Sequence, residues 1–274
     1  GGGGVWGVRG VHWEMQAMMT GFILEDLVRR SGVTAVIRSR TLRTWGQSES
    51  GLAELLAEEI DRLDSSGDAT GGVTLAFLAS GIEGLKVRIT AKGPDEATVE
   101  QLLVDEDMRV RSIIGDIVFG IDDQTMESVV LDMCRDRGLT LGTAESITGG
   151  LISQRITNTP GSSSVFRGGV VSYATDVKTA VLGAPAGPSV TEEMAEAMAR
   201  GACEALAVDV SVATTGVAGP DAWEGVPPGT VWIATCIDGA VETRLLRYKT
   251  DRNRTRQYAA ITAMNELRKR LAAS

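Results

Sequence analysis

One stretch, Thr140 to Ile152, constrains this chain more than any other. A run suited to a strand, Leu139 to Ala144, ends in Glu145 and Ser146. Two glycines, Gly149 and Gly150, follow, and Leu151 to Ile156 then reads as a helix. Open α/β sheets place their chemistry at such strand ends. The glycines let backbone N–H groups approach a ligand, and a helix N-terminus favours negative charge. The pattern suits a nucleophile facing an oxyanion, or a phosphate seat. It also suits a tight turn of small residues in which Glu145 is a buried carboxylate bonding that turn.

The same grammar continues downstream. Phe166 to Tyr173 reads as a strand, and Asp176 to Leu182 as a short helix holding Lys178. Thr191 caps a helix through about Leu206, with Glu192 and Glu193 favourable in its first turn. Val208 to Thr214 is a strand that runs into Thr215-Gly216-Val217-Ala218-Gly219-Pro220. Gly229 to Ile237 is another, and Asp238-Gly239 signals a hairpin into Val241 to Tyr248. A last helix covers Arg252 to Leu271. The fold class is α/β, a mixed open sheet with helices on both faces.

The upstream half differs. A helix with an apolar stripe (Met15, Met18, Phe22, Ile23, Leu27) ends at Ser31-Gly32. Then come a strand from Val33 to Leu42, a helix from Leu52 to Leu63 and a polar loop from Asp64 to Gly72. A strand pair follows (Val73 to Ala79, Leu85 to Ala91), then a helix from Pro94 to about Ile114, with interruptions expected near Asp105. A short strand, Ile117 to Gly120, and a helix from Thr125 to Arg137 close this half. The strand–helix–strand–strand–helix order over roughly 33 to 115 makes a small α+β unit. The expected organisation is 1–32 as a lead segment, 33–120 as the α+β domain and 121–274 as the α/β domain, with the boundary near Phe119 to Asp123.

Whole-chain counts narrow the chemistry. The formal net charge is −9 over 274 residues, which disfavours nucleic acid as a partner. Cys134, Cys203 and Cys236 are far apart and lack metal spacing, so reduced, buried thiols and a cytoplasmic location are expected. No apolar run of about eighteen residues appears, so no membrane partner is expected. Gly1 to Gly4 are not a signal peptide, and without an initiator Met the chain is expected to begin inside a longer protein. His12 is the single histidine. A Ser–His–Asp triad on Ser146 and a histidine-rich metal site are therefore set aside, and a base for Ser146 is sought among Lys, Tyr, Asp and Glu.

Four places carry site character: Ser146 with Thr148, Gly149 and Gly150; Tyr173 with Lys178; Thr214 to Pro220; and Asp251-Arg252 with Arg254 and Arg256. A partly desolvated lysine can take a serine's proton, because burial disfavours its charged form. Backbone N–H groups near Gly149, Gly150 and Gly216 suit an oxyanion, and Arg252 and Arg256 suit a phosphate. Each has a plainer reading. Lys178 is then a surface lysine, Tyr173 a sheet residue, and Arg254 and Arg256 a solvated helix start. Lys86, Arg88 and Lys92 read as the solvated face of a strand.

Six separated motifs agree in order and spacing with one family. Ala144 to Gly150, Pro160-Gly161-Ser162-Ser163, Gly168 to Tyr173 with Lys178, Thr215 to Pro220, Pro228 to Val231 and Asp251-Arg252…Arg256 resemble the carboxyl-terminal domain of the CinA family. That domain is its nicotinamide mononucleotide deamidase unit, and the resemblance covers about 123–271. Thr41 to Gly46, Glu49-Ser50 and Arg88 to Lys92 resemble the family's small KH-like domain. Gly10 to Met15 looks like the tail of its molybdopterin-binding-like domain, so the pyrophosphatase activity of that domain is expected to be absent. The resemblance implies hydrolysis of the carboxamide of nicotinamide mononucleotide, with no metal or other cofactor. It implies Ser146 as nucleophile and Lys178 as base, with Tyr173 assisting. Glu145, Thr148, Gly149, Gly150, Thr215, Gly216, Ala218 and Gly219 would line the substrate, and Arg252 or Arg256 would meet its phosphate. A homo-oligomer, a dimer, is expected.

Departures from the family pattern are Ile147 for a usual Cys, Thr191 for a usual Ser, Ala222-Trp223 for a usual Gly-Gly, and Arg9 and His12 for prolines. Of these, Trp223 bears on substrate choice. A second reading makes the chain a non-catalytic nucleotide- or RNA-binding protein that uses the KH-like unit. Gly46-Gln47-Ser48-Glu49 argues against it, because it is not a basic loop of the kind that clamps a nucleotide backbone.

Overall fold

Apolar residues along the downstream strands point to both sides of the pleat, which requires cover on both faces. The computed structural model describes residues 11–31, 35–65, 72–79 and 81–273. Its first helices, α1 (His12–Met18) and α2 (Leu24–Ser31), are joined through a π-helical turn, Met19–Ile23. There follow β1 (Val36–Thr44), α3 (Glu49–Leu55), α4 (Ala57–Ser65), β2 (Gly72–Ala79), β3 (Leu85–Gly93), α5 (Glu96–Ile114) and β4 (Val118–Ile121). Four strands form a sheet in the order β2-β3-β1-β4, with β1 and β4 antiparallel.

The helix expected over Leu52 to Leu63 is two helices, and Ser48 accepts from the Gly51 N–H at 3.1 Å before the first. No interruption occurs near Asp105, because its carboxylate accepts from Gln101 Nε2 at 2.8 Å along a continuous α5. Most of the expected polar loop lies outside the described residues.

Downstream come α6 (Met126–Asp136), β5 (Leu141–Glu145), α7 (Leu151–Thr157), β6 (Phe166–Val171), α8 (Thr175–Leu182), α9 (Glu192–Leu206), β7 (Val210–Gly216), β8 (Thr230–Ile237), β9 (Ala240–Arg247) and α10 (Arg252–Ala273). The sheet order is β6-β5-β7-β8-β9. The first three strands are mutually parallel, and β8 and β9 are antiparallel additions. Val210, Val212, Val231 and Ile233 pack under α6, α7 and α10. Ala213, Ala234 and Cys236 pack on the other face under α8 and α9. Cys134 and Cys236 are buried, whereas Cys203 is only half-buried, and all three thiols are free.

The chain divides into two compact units. One comprises 1–40, 56–75 and 89–112, and the other 41–55, 76–88 and 113–274. Within the first unit, Arg40 bridges Glu100 and Asp107, and Arg62 bridges Glu59 and Glu106. Along β3, Val87, Ile89 and Ala91 are buried, while Arg88 and Lys92 face solvent. Among the described residues no helix is long and apolar enough to cross a membrane.

The α8–α9 approach decides where Lys178 lies. A Cβ on Gly201 of α9 would sit 2.0 Å from the Leu182 carbonyl oxygen at the end of α8. Gly201→Val is therefore expected to destabilise the protein by about 2 kcal/mol or more through overpacking. Urea unfolding checks this; an unchanged midpoint would show that α8 can yield.

Candidate active site

Parallel strands bring their carboxyl ends to one edge, and β5, β6 and β7 do so here. Ser146 leaves β5, Ser172 and Tyr173 leave β6, and Thr214 to Gly216 end β7. The Ser146 N–H donates to the Thr214 carbonyl at 2.9 Å, and the Ser172 N–H to the Glu145 carbonyl at 3.0 Å. Three strand ends are thereby stitched together just before they diverge.

The turn after Ser146 works because Gly149 and Gly150 both take positive φ, 60° and 92°. These are conformations that a side chain resists. The chain then re-enters as α7, and Glu145 meets it. One carboxylate oxygen accepts from the Ile152 N–H at 3.0 Å; the other accepts from the Ser153 N–H at 2.8 Å and the Ser153 hydroxyl at 2.7 Å. A fully buried carboxylate is tolerable there because it meets orphan N–H groups at a positive helix end. Glu145 is thus a helix anchor rather than a cavity residue. Thr148 is also turned inward, its hydroxyl 2.8 Å from that of Thr214.

A cavity of about 520 Å³ opens at this edge, and Ser146, Tyr173, Lys178, Thr215, Gly216, Ala218, Gly219 and Arg252 all line it. Glu145, Thr148, Gly149, Gly150 and Arg256 are not on its wall. Arg256 instead donates to two backbone carbonyls of the serine turn, Ile147 O at 3.0 Å and Thr148 O at 2.7 Å. It braces the turn from behind, and of the two arginines only Arg252 lines the cavity. Arg252 donates to the Gly219 carbonyl at 2.8 Å and to the Tyr173 hydroxyl at 3.0 Å. A guanidinium has five N–H donors, so this leaves capacity for an anion.

Lys178 decides what the cavity can do. It is 1 % exposed, has no ion-pair partner among the described residues, and donates to the Tyr173 backbone carbonyl at 3.3 Å. Burial holds its pKa below the ordinary lysine value, and the Glu224 carboxylate partly opposes that shift. Tyr173 thus positions the lysine through its main chain, while its ring is 64 % exposed at the mouth and its hydroxyl meets Arg252. Ser146 is 8 % exposed, and its hydroxyl makes no hydrogen bond to the described residues.

Two further residues belong to loops with no local motif: Ser189 lines the cavity, and Glu224, which is not on the wall, holds it. The Ser189 N–H and hydroxyl donate to one Glu224 oxygen at 2.7 and 3.1 Å. The Ser189 carbonyl accepts from the Thr215 hydroxyl, and its hydroxyl oxygen accepts from the Trp223 indole N–H at 3.2 Å. Trp223 and Val226 exchange backbone hydrogen bonds around Glu224 and Gly225. Both central residues have positive φ, as a type I′ turn requires. Trp223 therefore stands as a fixed wall, 59 % exposed, and leaves the cavity open. Among the described residues no group of His, Cys, Asp and Glu is arranged to hold a metal ion.

Comparison with known proteins places these observations. The CinA C-terminal domain model matches residues 123–271, and the model of the damage-inducible protein CinA KH domain matches 39–120. A CinA-like protein of Frankia casuarinae is 43% identical over 98% of this chain and 62% of its own length. A putative competence-damage inducible protein of Caldicellulosiruptor saccharolyticus is 35% identical over 95% of this chain and 62% of its own. The chain thus spans less than two thirds of these relatives. Among solved structures, a competence-damaged protein (CinA) superfamily protein of Klebsiella pneumoniae is 30% identical with a TM-score of 0.52, over 55% of this chain and 100% of that one. A competence/damage inducible protein of Agrobacterium tumefaciens is 33% identical with a TM-score of 0.50, over 52% of this chain and 91% of that one.

Glu145→Ala would strand two buried N–H donors at the start of α7, a loss of about 2 kcal/mol or more. Denaturant unfolding measures it, with Glu145→Gln retaining part of the difference. A change within about 0.5 kcal/mol, typical of an ordinary surface site, would contradict the anchoring role.

Proposed function

This chain belongs to the CinA family, and we propose that its cavity hydrolyses the carboxamide of nicotinamide mononucleotide to nicotinate mononucleotide and ammonia. One observation carries the reading: a buried lysine shares a wall with a serine, and among the described residues the lysine has no counter-ion and the serine hydroxyl no hydrogen-bond partner. That pairing is what a serine needs in order to become a nucleophile without histidine.

The steps follow from the residues. Neutral Lys178 takes the Ser146 hydroxyl proton as the oxygen attacks the amide carbon. The tetrahedral intermediate collapses when the lysine returns that proton to the departing nitrogen, and ammonia leaves. Water, deprotonated by the same lysine, attacks the acyl-serine, and the carboxylate product and free serine are released. Arg252 at the mouth meets the phosphate, held by Gly219 and the Tyr173 hydroxyl. Trp223 offers a flat face to the pyridinium ring, an arrangement that favours cations over aromatic faces. Glu224 fixes that face through Ser189 and moderates the lysine through its charge.

Ser146→Ala and Lys178→Ala should each lower ammonia release from nicotinamide mononucleotide about a hundredfold or more while leaving the fold intact. Wild-type activity retained by either variant would overturn the mechanism. The pH–rate profile carries a sign. The base must be neutral, so activity rises with pH through the lowered Lys178 pKa. Glu224→Gln removes the negative charge that stabilises the ammonium form, so that limb should move to lower pH. A shift to higher pH would show that Glu224 does not act on Lys178.

A further inference from the structure

A second cavity, of about 630 Å³, shares no wall residue with the first. All of its wall belongs to the larger compact unit. Helix α10 builds one side of it. Tyr258, Thr262, Asn265 and Lys269 recur at helical spacing and form one stripe. Ala259, Ala263 and Leu267 lie in the core instead.

Aromatic rings make the rest. Trp45 and Tyr248 lie 6.0 and 5.9 Å from the Tyr258 ring centroid, both tilted. The Trp45 indole N–H and the Tyr248 hydroxyl both donate to Thr262 Oγ1, at 3.3 and 3.0 Å. The polar edges of two rings are thus satisfied within the wall, and all three rings remain half-buried. Asn265 is 4 % exposed, and its carbonyl oxygen accepts from Arg268 Nε at 3.1 Å. Its amide nitrogen has no hydrogen-bond partner among the described residues and is not fully enclosed by the protein. The charges at the rim are Arg244 and Glu266, paired with each other, and Glu49 and Lys269. Lys269 is exposed and has no ion-pair partner among the described residues.

We propose that this cavity binds a free mononucleotide, its base against the Trp45–Tyr258–Tyr248 wall and its phosphate at Lys269. The Asn265 amide donates to an acceptor on the base edge. A hydrocarbon ligand would leave that donor unmet, whereas a heteroaromatic base meets it and gains stacking of about 1–3 kcal/mol. A long nucleic acid fits less well, because one free lysine beside Glu49 and Glu266 does not neutralise a run of phosphates. The volume suits a small molecule. Because α10 also carries Arg252 to the first cavity, both cavities sit on one helix. The proposal stands or falls independently of the amidase reading.

The test is calorimetric titration of AMP and adenosine into the full chain. Saturable binding of both is expected. Lys269→Glu should weaken AMP about tenfold or more, about 1.4 kcal/mol, and spare adenosine. Asn265→Leu should weaken both, and the exposed Lys269 variant keeps the test valid if that one fails to fold. No saturable binding of AMP, adenosine or nicotinate mononucleotide at millimolar concentration would overturn the proposal. So would AMP binding that is lost in Arg252→Ala and kept in Lys269→Glu, or binding of oligoadenylate alone.

Discussion

A carboxylate sealed at the end of β5 sets the conditions for everything at this edge of the sheet. Glu145 is fully buried, and it is accommodated because α7 presents N–H groups to both of its oxygens. That contact requires the chain to turn sharply between strand and helix. Gly149 and Gly150 supply the turn, and Ser146 is the residue carried on its inside. The serine is thus placed by an anchor that is not itself on the cavity wall. Arg256 completes the support by donating to the carbonyls of Ile147 and Thr148 from α10.

Lysine placement obeys a different balance. Lys178 enters a nearly closed position because α8 lies close against α9, where Gly201 removes the side chain that would keep them apart. Desolvation then works against the ammonium form, and Glu224 works the other way without cancelling it. Glu224 has two duties, since the same carboxylate ties Ser189 to the Trp223 turn. A lysine paired directly to an acid would stay charged; one that meets only a backbone carbonyl has a weaker hold on its proton.

Much of the fold was legible because the strands are short apolar runs bounded by turn residues and the helices are capped by local chemistry. Thr191 receives the Met194 N–H as its position suggested, and Thr125 does the same for Ser128. Alternatives stayed open where only a long-range contact separates them. Two arginines at helical spacing, Arg252 and Arg256, looked equivalent as anion binders. They are separated by what each meets: a loop carbonyl and a tyrosine hydroxyl at the cavity mouth, or the back of the serine turn. Glu145 looked equally like a ligand contact and a turn anchor, and only the arrival of α7 distinguishes the two.

The sequence by itself determined the parallel strand ends, the glycine turn behind Ser146 and the supply of a lysine and an arginine in separate downstream motifs. These depend on periodicity, turn propensity and capping, all of which act over a few residues. Tertiary structure alone decided that Lys178 is buried without a counter-ion among the described residues, that Glu224 holds Ser189 on the cavity wall, and that Trp45 reaches Thr262 beside a second cavity. Burial and hydrogen bonding between distant segments are properties of the packed chain, because desolvation depends on what surrounds a group in space rather than on its neighbours in sequence.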